Sequence, residues 1–412
     1  MMVWFLCLFK QINICFIRDD SIDSISFKYS NIVSPELKEK IQNPHYDPRH
    51  LTPEETNTVL NFTITIQLIR LLEGMWSKNC NVNPTSFKTV FSEARDKFFY
   101  GFCQHDAEEA YSCIIQKMQE ELAENKNVQF VMDRPSVKDF IYFKNDIKAK
   151  ISATNDLDLK QKLIQEFLNK KKSMPTENLI MESYREMKKY YGTSYSRITD
   201  IFTGFFHSSI TCPNPECGYS SNKFDPYLHL SFPMPVRDCN NCNGEILRTL
   251  SINDCMNEFC KEEILDESNL WNCEGCSKCV KAIKKLQLWT SPPVLVIQLK
   301  RFGIARTNKD SRLVNCPINN FDISPLISPT KRDATTSNPT TTNISASCHT
   351  YRLQSIINHY GSLDCGHYYS YCLDEDTNQW YEFNDTHIKR ISHHSIITNC
   401  AYLLVYIRSD IQ

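Results

Sequence analysis

Apolar positions in the first half of the chain recur three or four residues apart, which is the period of one face of an α-helix. This pattern predicts helices within residues 54–125, and a second amphipathic helix over residues 106–122. The acidic start of that second helix suits the positive end of a helix dipole. Residues 140–195 are rich in lysine and helical in pattern, with a break at Pro175. The apolar positions of the first helical stretch are Val59, Phe62, Ile66, Leu68, Ile69 and Leu72.

From residue 199 onward the pattern changes to short runs with strand-like alternation. A Thr/Asn/Ser-rich tract over residues 329–347 separates some of these runs and predicts a flexible loop. The chain therefore reads as an α+β protein. We predict an atypical segment over 1–30, a helical lobe over 31–200 and a β-rich lobe over 201–410. The strand-like runs are LHLSFPMP, KKLQLW, PVLVIQLKRF, YRLQSIINHY, GHYYSYCL and AYLLVYI.

Composition narrows the classes of function. The chain has 412 residues and a formal net charge of −2, so no global charge draws it to nucleic acid or anionic membranes. Lys10, Gln11 and Asn13 interrupt the apolar start, which is too short for a spanning helix. A buried first segment and a truncated start are the alternatives to a targeting role. We expect an intracellular protein, cytoplasmic or nuclear, with no membrane or nucleic-acid partner.

Paired cysteines are the first sign of a specific site. The chain has 19 cysteines, and their pairing in a large intracellular-looking chain favours metal over disulfides. Cys212 and Cys217 form one pair, and Cys273 and Cys276 form another. Four thiolates on two such turns bind Zn²⁺ tetrahedrally in zinc ribbons. Buried free thiols are one alternative, and replacement of one pair by the C-x-x-C of residues 239–242 is another.

A polar and aromatic block near the C-terminus carries the second sign. His367 lies in a strand-like run, and Asn384 and Asp385 follow it after a polar turn and a second run. Two adjacent strands joined by a turn would place the imidazole beside one of these side chains. That pairing is typical of a general base held in orientation by an amide or a carboxylate.

Five blocks of the sequence resemble the ubiquitin-specific proteases, the papain-like cysteine proteases that remove ubiquitin. Together they span about residues 55–408, in the order that the family has. The resemblance implies a papain-like helical lobe, a β-rich lobe with a projecting zinc ribbon, and ubiquitin and ubiquitinated proteins as partners. The blocks are GFCQHDAEEAYSCIIQKMQEEL, ITDIFTGFFHSSITCPNPECGYSSNKFDPYLHLSFPMP, NLWNCEGCSKCVKAIKKLQLWTSPPVLVIQLKRF, NHYGSLDCGHYYSYCLDEDTNQWYEFNDTHIKRIS and AYLLVYIRS.

The resemblance also implies roles for individual residues. His367 matches the family's general base, Asn384 the third member of the triad, and Asp385 an assisting neighbour. Asp106 and Glu109 match acidic positions that face the basic tail of ubiquitin, and simple acidity at a helix N-terminus is the alternative explanation. The family's structural zinc ligands fall on Cys212, Cys217, Cys273 and Cys276.

The nucleophile is where the sequence departs from the family. The family's Gly-Asn-Thr-Cys motif is absent, and Cys15 falls nearest to its cysteine. Lys10 stands at the position of the oxyanion-hole asparagine, and Ile12 at that of the glycine. Cys15 is therefore a tentative nucleophile for hydrolysis at the C-terminal glycine of ubiquitin. A truncated start and a ubiquitin-binding scaffold without turnover stay open, whereas the neutral charge disfavours a zinc-ribbon nucleic-acid module.

Overall fold

Helices make up the first part of the fold. The structure is a computed structural model, and it describes residues 63–76, 83–93, 99, 104–128, 134–235, 249–302, 309–332, 348–362 and 365–411. The helices of its first half are α1 (Ile64–Trp76), α2 (Thr85–Glu93), α3 (Ala107–Glu121), α4 (Pro135–Ala153), α5 (Leu157–Ser173), α6 (Pro175–Ser194) and α7 (Arg197–Phe202).

Local sequence explains where several of these helices begin. The Asp106 carboxylate accepts a hydrogen bond from the Glu108 N–H and caps α3, and Asp156 caps α5 in the same way. Proline occupies the first turn of both α4 and α6, where its missing N–H has no helical partner to lose. The predicted break at Pro175 is therefore the start of a new helix.

Strands form most of the second part. They are β1 (Gly204–Thr211), β2 (Ser220–Tyr227), β3 (Leu230–Pro233), β4 (Thr249–Ser251), β5 (Glu263–Ile264), β6 (Trp271–Cys273), β7 (Lys278–Val280), β8 (Ile283–Thr290), β9 (Val294–Lys300), β10 (Leu313–Asn315), β11 (Phe321–Asp322), β12 (Thr350–Gly361), β13 (Gly366–Asp374), β14 (Gln379–Asn384), β15 (His387–Ile391) and β16 (Ala401–Arg408). Two further helices, α8 (Ile252–Phe259) and α9 (Pro329–Arg332), lie among them.

A large mixed sheet separates two hydrophobic clusters. Within the described residues its strand order is β15-β14-β13-β12-β16-β9-β3, with β11 paired to β12. Because successive side chains of a strand point to opposite faces, β9 and β16 serve both clusters. Val296 and Val405 pack with α1, α2, α3 and α7 on one face, whereas Ile297 and Leu404 pack with α8 on the other.

A second sheet, with the order β2-β1-β8-β5, carries the first cysteine pair in the connection between β1 and β2. The long antiparallel strands β1 and β2 run side by side from Gly204↔Tyr227 to Thr211↔Ser220. The short β6–β7 hairpin pairs Trp271 with Val280 and stands beside the tip of these strands. The two cysteine-bearing turns therefore meet in one ribbon, although they lie far apart in the sequence.

The observed order of helices and then strands agrees with the α+β expectation. The boundaries of the predicted lobes stay predictions.

One prediction needs correction, because residues 329–332 of the predicted loop form the helical turn α9. Ser328 anchors this turn by donating its N–H to Leu288, and Pro329 suits the first helical position. Across the described part of the chain, no helix combines the length and apolarity that a membrane crossing demands.

The last residue of α3 holds the first turn of α1 in place. The buried Glu121 carboxylate accepts hydrogen bonds from the N–H groups of Ile64 and Thr65, both at 2.8 Å. Burial raises the pKa of this carboxyl above its usual value, and the two N–H groups oppose that rise. The side chain thus satisfies two helix-end donors that water does not reach.

We predict that Glu121→Ala lowers the free energy of unfolding by about 1–3 kcal/mol, because it leaves buried N–H donors unpaired. Urea titration followed by circular dichroism measures this change. The matched control is Glu120→Ala, which removes a part-exposed ion pair with Lys117 and should cost at most about 0.5 kcal/mol. Equal effects of the two substitutions would contradict the capping role.

Candidate active site and metal centre

His367 and Asn384 face each other across neighbouring strands. His367 lies at the start of β13 and Asn384 at the end of β14, and the two strands pair antiparallel. The imidazole Nε2 lies 2.7 Å from the amide Oδ1 of Asn384. The structure therefore brings together the two side chains that the sequence predicts to meet.

The amide fixes which nitrogen of His367 is available for chemistry. An amide oxygen only accepts, so Nε2 carries the proton in this contact and Nδ1 is left to take one. Asp385 follows in the turn with a φ of 50°, a left-handed conformation that aspartate tolerates. Its carboxylate lies 3.9 Å from the same Nε2 and is mostly exposed. Asp385 therefore acts on the imidazole through charge at a longer distance than the amide.

Three residues behind His367 were not predicted from the sequence. The Gln104 side chain accepts a hydrogen bond from the Gly366 N–H at 3.1 Å, and it lies just before the N-terminus of α3. Gly366 packs against the buried His359, where a Cβ would lie 2.3 Å from the imidazole Nε2. The glycine next to His367 in the sequence is the one local signal of this close approach.

His359 is held neutral at the back of the site. Burial lowers the pKa of this imidazole to about 4, and the nearby ammonium group of Lys309 reinforces the effect. Lys309 Nζ lies 3.2 Å from Nδ1 and also donates to the His359 carbonyl oxygen. The rings of Phe302, Tyr368 and Tyr402 lie around the imidazole. His359 therefore supports the strand that carries His367.

Asp106 has two structural partners at the N-terminus of α3. One carboxylate oxygen accepts from the Glu108 N–H at 2.7 Å, and the other accepts from the Tyr402 hydroxyl at 2.6 Å. Capping, the simpler of the two readings of this acidic start, is confirmed for Asp106. Glu109 lies in the first helical turn and is part-exposed. The predicted contact of both carboxylates with ubiquitin stays a prediction.

The four predicted metal ligands converge. Their Sγ atoms all lie within 4.8 Å of one another, with Cys217 and Cys273 at 3.6 Å and Cys212 and Cys276 at 4.0 Å. Zn–S bonds of about 2.3 Å in a tetrahedron require sulfur separations of this size. A Cβ on Gly275 would lie 2.8 Å from the Cys217 sulfur, so the two turns meet only because that position has no side chain.

Four other cysteines bear on the predicted sites. Cys279, close to the ribbon in sequence, is exposed and does not belong to the group of four. Cys15, Cys239 and Cys242 lie outside the described residues. The nucleophile and the alternative C-x-x-C pair therefore stay predictions from the sequence.

Comparison with known proteins decides the family. The sequence model of the family described as ubiquitin carboxyl-terminal hydrolase matches residues 23–406. The chain belongs to the ubiquitin carboxyl-terminal hydrolase family. This match confirms the family and the deubiquitinating hydrolase class that the resemblance implies. The matched region begins after Cys15, so it does not bear on the nucleophile.

Two curated relatives show how far the similarity extends. A probable ubiquitin carboxyl-terminal hydrolase, R319 of Acanthamoeba polyphaga mimivirus, is 47% identical over 392 residues, which are 94% of this chain and 80% of that protein. Ubiquitin carboxyl-terminal hydrolase 2 of Bos taurus is 29% identical over 345 residues. That alignment covers 82% of this chain and 46% of the bovine protein, so the chain spans less than half of that relative.

Solved structures support the fold. A SAGA DUB module of Ubp8, Sgf11, Sus1 and Sgf73 bound to monoubiquitin matches with a TM-score of 0.53 and 19% identity, over 86% of this chain and 60% of that chain. The same module bound to ubiquitin aldehyde matches with a TM-score of 0.52 and 20% identity, over 86% of this chain and 61% of that chain. These matches confirm the expected α+β fold of a ubiquitin-specific protease.

We predict that Gly366→Ala lowers the free energy of unfolding by about 1–3 kcal/mol, because its Cβ would overlap the buried His359 ring. The control is Gly192→Ala in α6, where the nearest atom to a new Cβ is 3.9 Å away. That change should stabilise the protein by about 0.5–1 kcal/mol. Urea unfolding of both variants measures the difference, and a neutral Gly366→Ala would contradict the tight packing behind His367.

Proposed function

We propose that this chain hydrolyses the isopeptide or peptide bond after the C-terminal glycine of ubiquitin by a thiol-dependent mechanism. The observation that carries the proposal is the 2.7 Å contact between His367 Nε2 and Asn384 Oδ1. It leaves Nδ1 as the base, in a chain whose family consists of ubiquitin carboxyl-terminal hydrolases. The similar solved modules bound to monoubiquitin and ubiquitin aldehyde support ubiquitin as the substrate.

In the proposed reaction, His367 Nδ1 takes the proton of the nucleophilic thiol, for which Cys15 is the candidate. The thiolate adds to the carbonyl carbon of the terminal glycine, and the imidazolium then gives its proton to the departing amine. Water attacks the resulting thioester as His367 takes its proton, the carbon–sulfur bond breaks to release the ubiquitin carboxylate, and the imidazolium returns its proton to the departing thiolate. Asn384 keeps the imidazole oriented throughout, and the Asp385 carboxylate favours the imidazolium that forms between these steps.

We also propose that the N-terminal end of α3 receives the basic tail of ubiquitin. Asp106 retains acceptor capacity, since each carboxylate oxygen has two lone pairs and one hydrogen bond is shown at each. Glu109 adds negative charge within the first turn of the helix. The tail would then run past Tyr402 toward His367.

The four-cysteine group is proposed to hold one structural Zn²⁺. The donor set fits, because four thiolates at the observed sulfur separations suit a closed tetrahedral site with no position for substrate. Burial favours the neutral thiol of Cys273, but N–H groups of Cys276 and Gly275 and the neighbouring thiols of Cys217 and Cys276 together lower its pKa to about 7. Without metal, the pKa values of Cys212 and Cys217 are raised, so a bound cation would be needed to hold all four as thiolates. Thiolate ligands suit a reducing compartment, so an intracellular location remains our proposal. We also keep the proposal that the chain has no membrane or nucleic-acid partner, which rests on its net charge of −2.

A ubiquitin derivative with a thiol-reactive C-terminus tests the catalytic assignment. We expect covalent labelling of the full chain, followed by mass spectrometry, to be abolished in Cys15→Ala. The labelling rate should fall at least about 100-fold in His367→Ala, since a general base contributes about 10²–10⁴ in rate. Asn384→Ala should cost less, because the base remains. His394→Ala is the control, since His394 is exposed and outside the site.

The outcomes separate the candidate functions. Rapid labelling that survives Cys15→Ala would overturn Cys15 as the nucleophile. Absence of labelling in a chain that still binds ubiquitin in a titration would overturn the hydrolase and favour the scaffold without turnover. Equal loss in His394→Ala and His367→Ala would contradict the assigned base.

Metal analysis tests the zinc proposal. We expect one Zn²⁺ per chain by inductively coupled plasma mass spectrometry, and a lower melting temperature after chelation, because a closed zinc site stabilises its fold directly. Cys273→Ser should lose the metal. Cys279→Ser is the matched control, because Cys279 is nearby but exposed and outside the group. Full zinc content in Cys273→Ser would contradict the assignment.

A further inference from the structure

A continuous series of polar side chains runs through the sheet to Asp106. Gln298 Nε2 lies 2.8 Å from the Tyr402 hydroxyl, and Gln298 Oε1 lies 2.9 Å from Ser231 Oγ. Ser231 in turn lies 3.1 Å from Nε2 of His229. These residues lie on or beside the neighbouring strands β3, β9 and β16, where Ser231 pairs directly with Gln298. The series links an imidazole outside the catalytic site to the cap of α3.

The Asp106 carboxylate fixes the direction of the first hydrogen bonds in this series. A carboxylate only accepts, so the Tyr402 hydroxyl must donate its one proton to Asp106. Tyr402 can then only accept from Gln298, which must turn its NH₂ toward the ring. The amide oxygen of Gln298 is consequently on the other side and faces Ser231.

The same reasoning extends to His229. Ser231 must donate its single proton to Gln298 Oε1 and can only accept on its other side. The donor available there is His229, provided that Nε2 carries a proton. Every hydrogen bond from His229 to Asp106 therefore points the same way, and the imidazole is the first donor.

Charged groups around His229 have opposing effects on the protonation of its ring. Nδ1 lies 3.2 Å from the Glu108 carboxylate on α3, and Ser112 donates to that same carboxylate at 2.6 Å. Burial lowers the pKa of His229, and Lys300 on β9 reinforces this, whereas Glu108 and Asp106 oppose it. An imidazolium would donate to the Glu108 carboxylate from Nδ1 and to the Ser231 hydroxyl from Nε2, whereas a neutral ring has one N–H to place.

We propose that His229 is a positioning residue that, as an imidazolium, donates from Nε2 and so completes the hydrogen-bond series that holds Tyr402 against Asp106, where the ubiquitin tail is received. The inference rests on the proposed contact between Asp106 and the tail. The structural consequence is specific, because loss of the Nε2 donor frees Ser231 to reverse. Gln298 Oε1 then loses its donor, and the Tyr402 hydroxyl, which still donates to Asp106, loses its fixed contact with the Gln298 NH₂ group.

Nitrogen NMR of the free protein tests the protonation directly. In a deuterated sample with ¹⁵N-labelled histidine, the His229 signals are assigned by their loss in His229→Gln. We expect both ring nitrogens to carry protons at the pH of the binding measurements, because the Glu108 carboxylate can only accept from Nδ1 and the Ser231 hydroxyl can only accept from Nε2. A neutral ring protonated at Nδ1 and bare at Nε2 would overturn the proposal, and this result does not depend on ubiquitin binding.

Substitution tests the effect on ubiquitin. Glutamine places an NH₂ group near the position of Nε2, so His229→Gln should bind ubiquitin within about twofold of the wild type. His229→Leu keeps the bulk but lacks the donor, and should weaken binding about five- to tenfold. The kcat for a ubiquitin substrate should stay within about twofold in His229→Leu while KM rises, because His229 does not touch the reacting atoms.

Ubiquitin lacking its C-terminal tail separates positioning from a general structural effect. Its weaker binding should be the same in wild type, His229→Leu and His229→Gln. An equal loss in His229→Leu for full and truncated ubiquitin, or failure of glutamine to restore affinity, would overturn the positioning role. A wild-type chain that binds no ubiquitin would instead refute the proposed function, and the NMR result would still stand on its own.

Discussion

Helix α3 is fixed at both ends, and the rest of the site depends on that constraint. At its C-terminal end the Glu121 carboxylate holds the first turn of α1. At its N-terminal end Asp106 is bound to Tyr402 of the sheet, and Gln104 just before it is bound to Gly366. The helix therefore sets the spacing between the helical lobe and the strand that carries His367.

The polar contacts around α3 are concentrated where the hydrophobic core ends. Ala107 and Ile115 on the same helix are fully buried and supply non-directional attraction. Hydrophobic packing does not specify rotation or register closely, whereas hydrogen bonds at the helix end do. The acceptor-only chemistry of Asp106 passes a defined direction into the sheet through Tyr402 and Gln298.

The sequence predicted the parts of the site whose partners are near in the chain or fixed by spacing. His367 and Asn384 are 17 residues apart on one hairpin, and each cysteine pair lies on one turn. The contacts of Gln104 with Gly366 and of Asp106 with Tyr402 join positions 262 and 296 residues apart. Periodicity shows which face of an element is buried but not which element it meets, so these contacts were missed.

Hydrogen–deuterium exchange of the full chain, with and without ubiquitin, tests most directly whether α3 and the sheet form one docking site. The account predicts slower exchange with ubiquitin in three segments together: residues 104–109, 366–369 and 400–402. Ubiquitin without its tail should protect them much less. Protection confined to other segments, or equal protection by both forms of ubiquitin, would contradict the account.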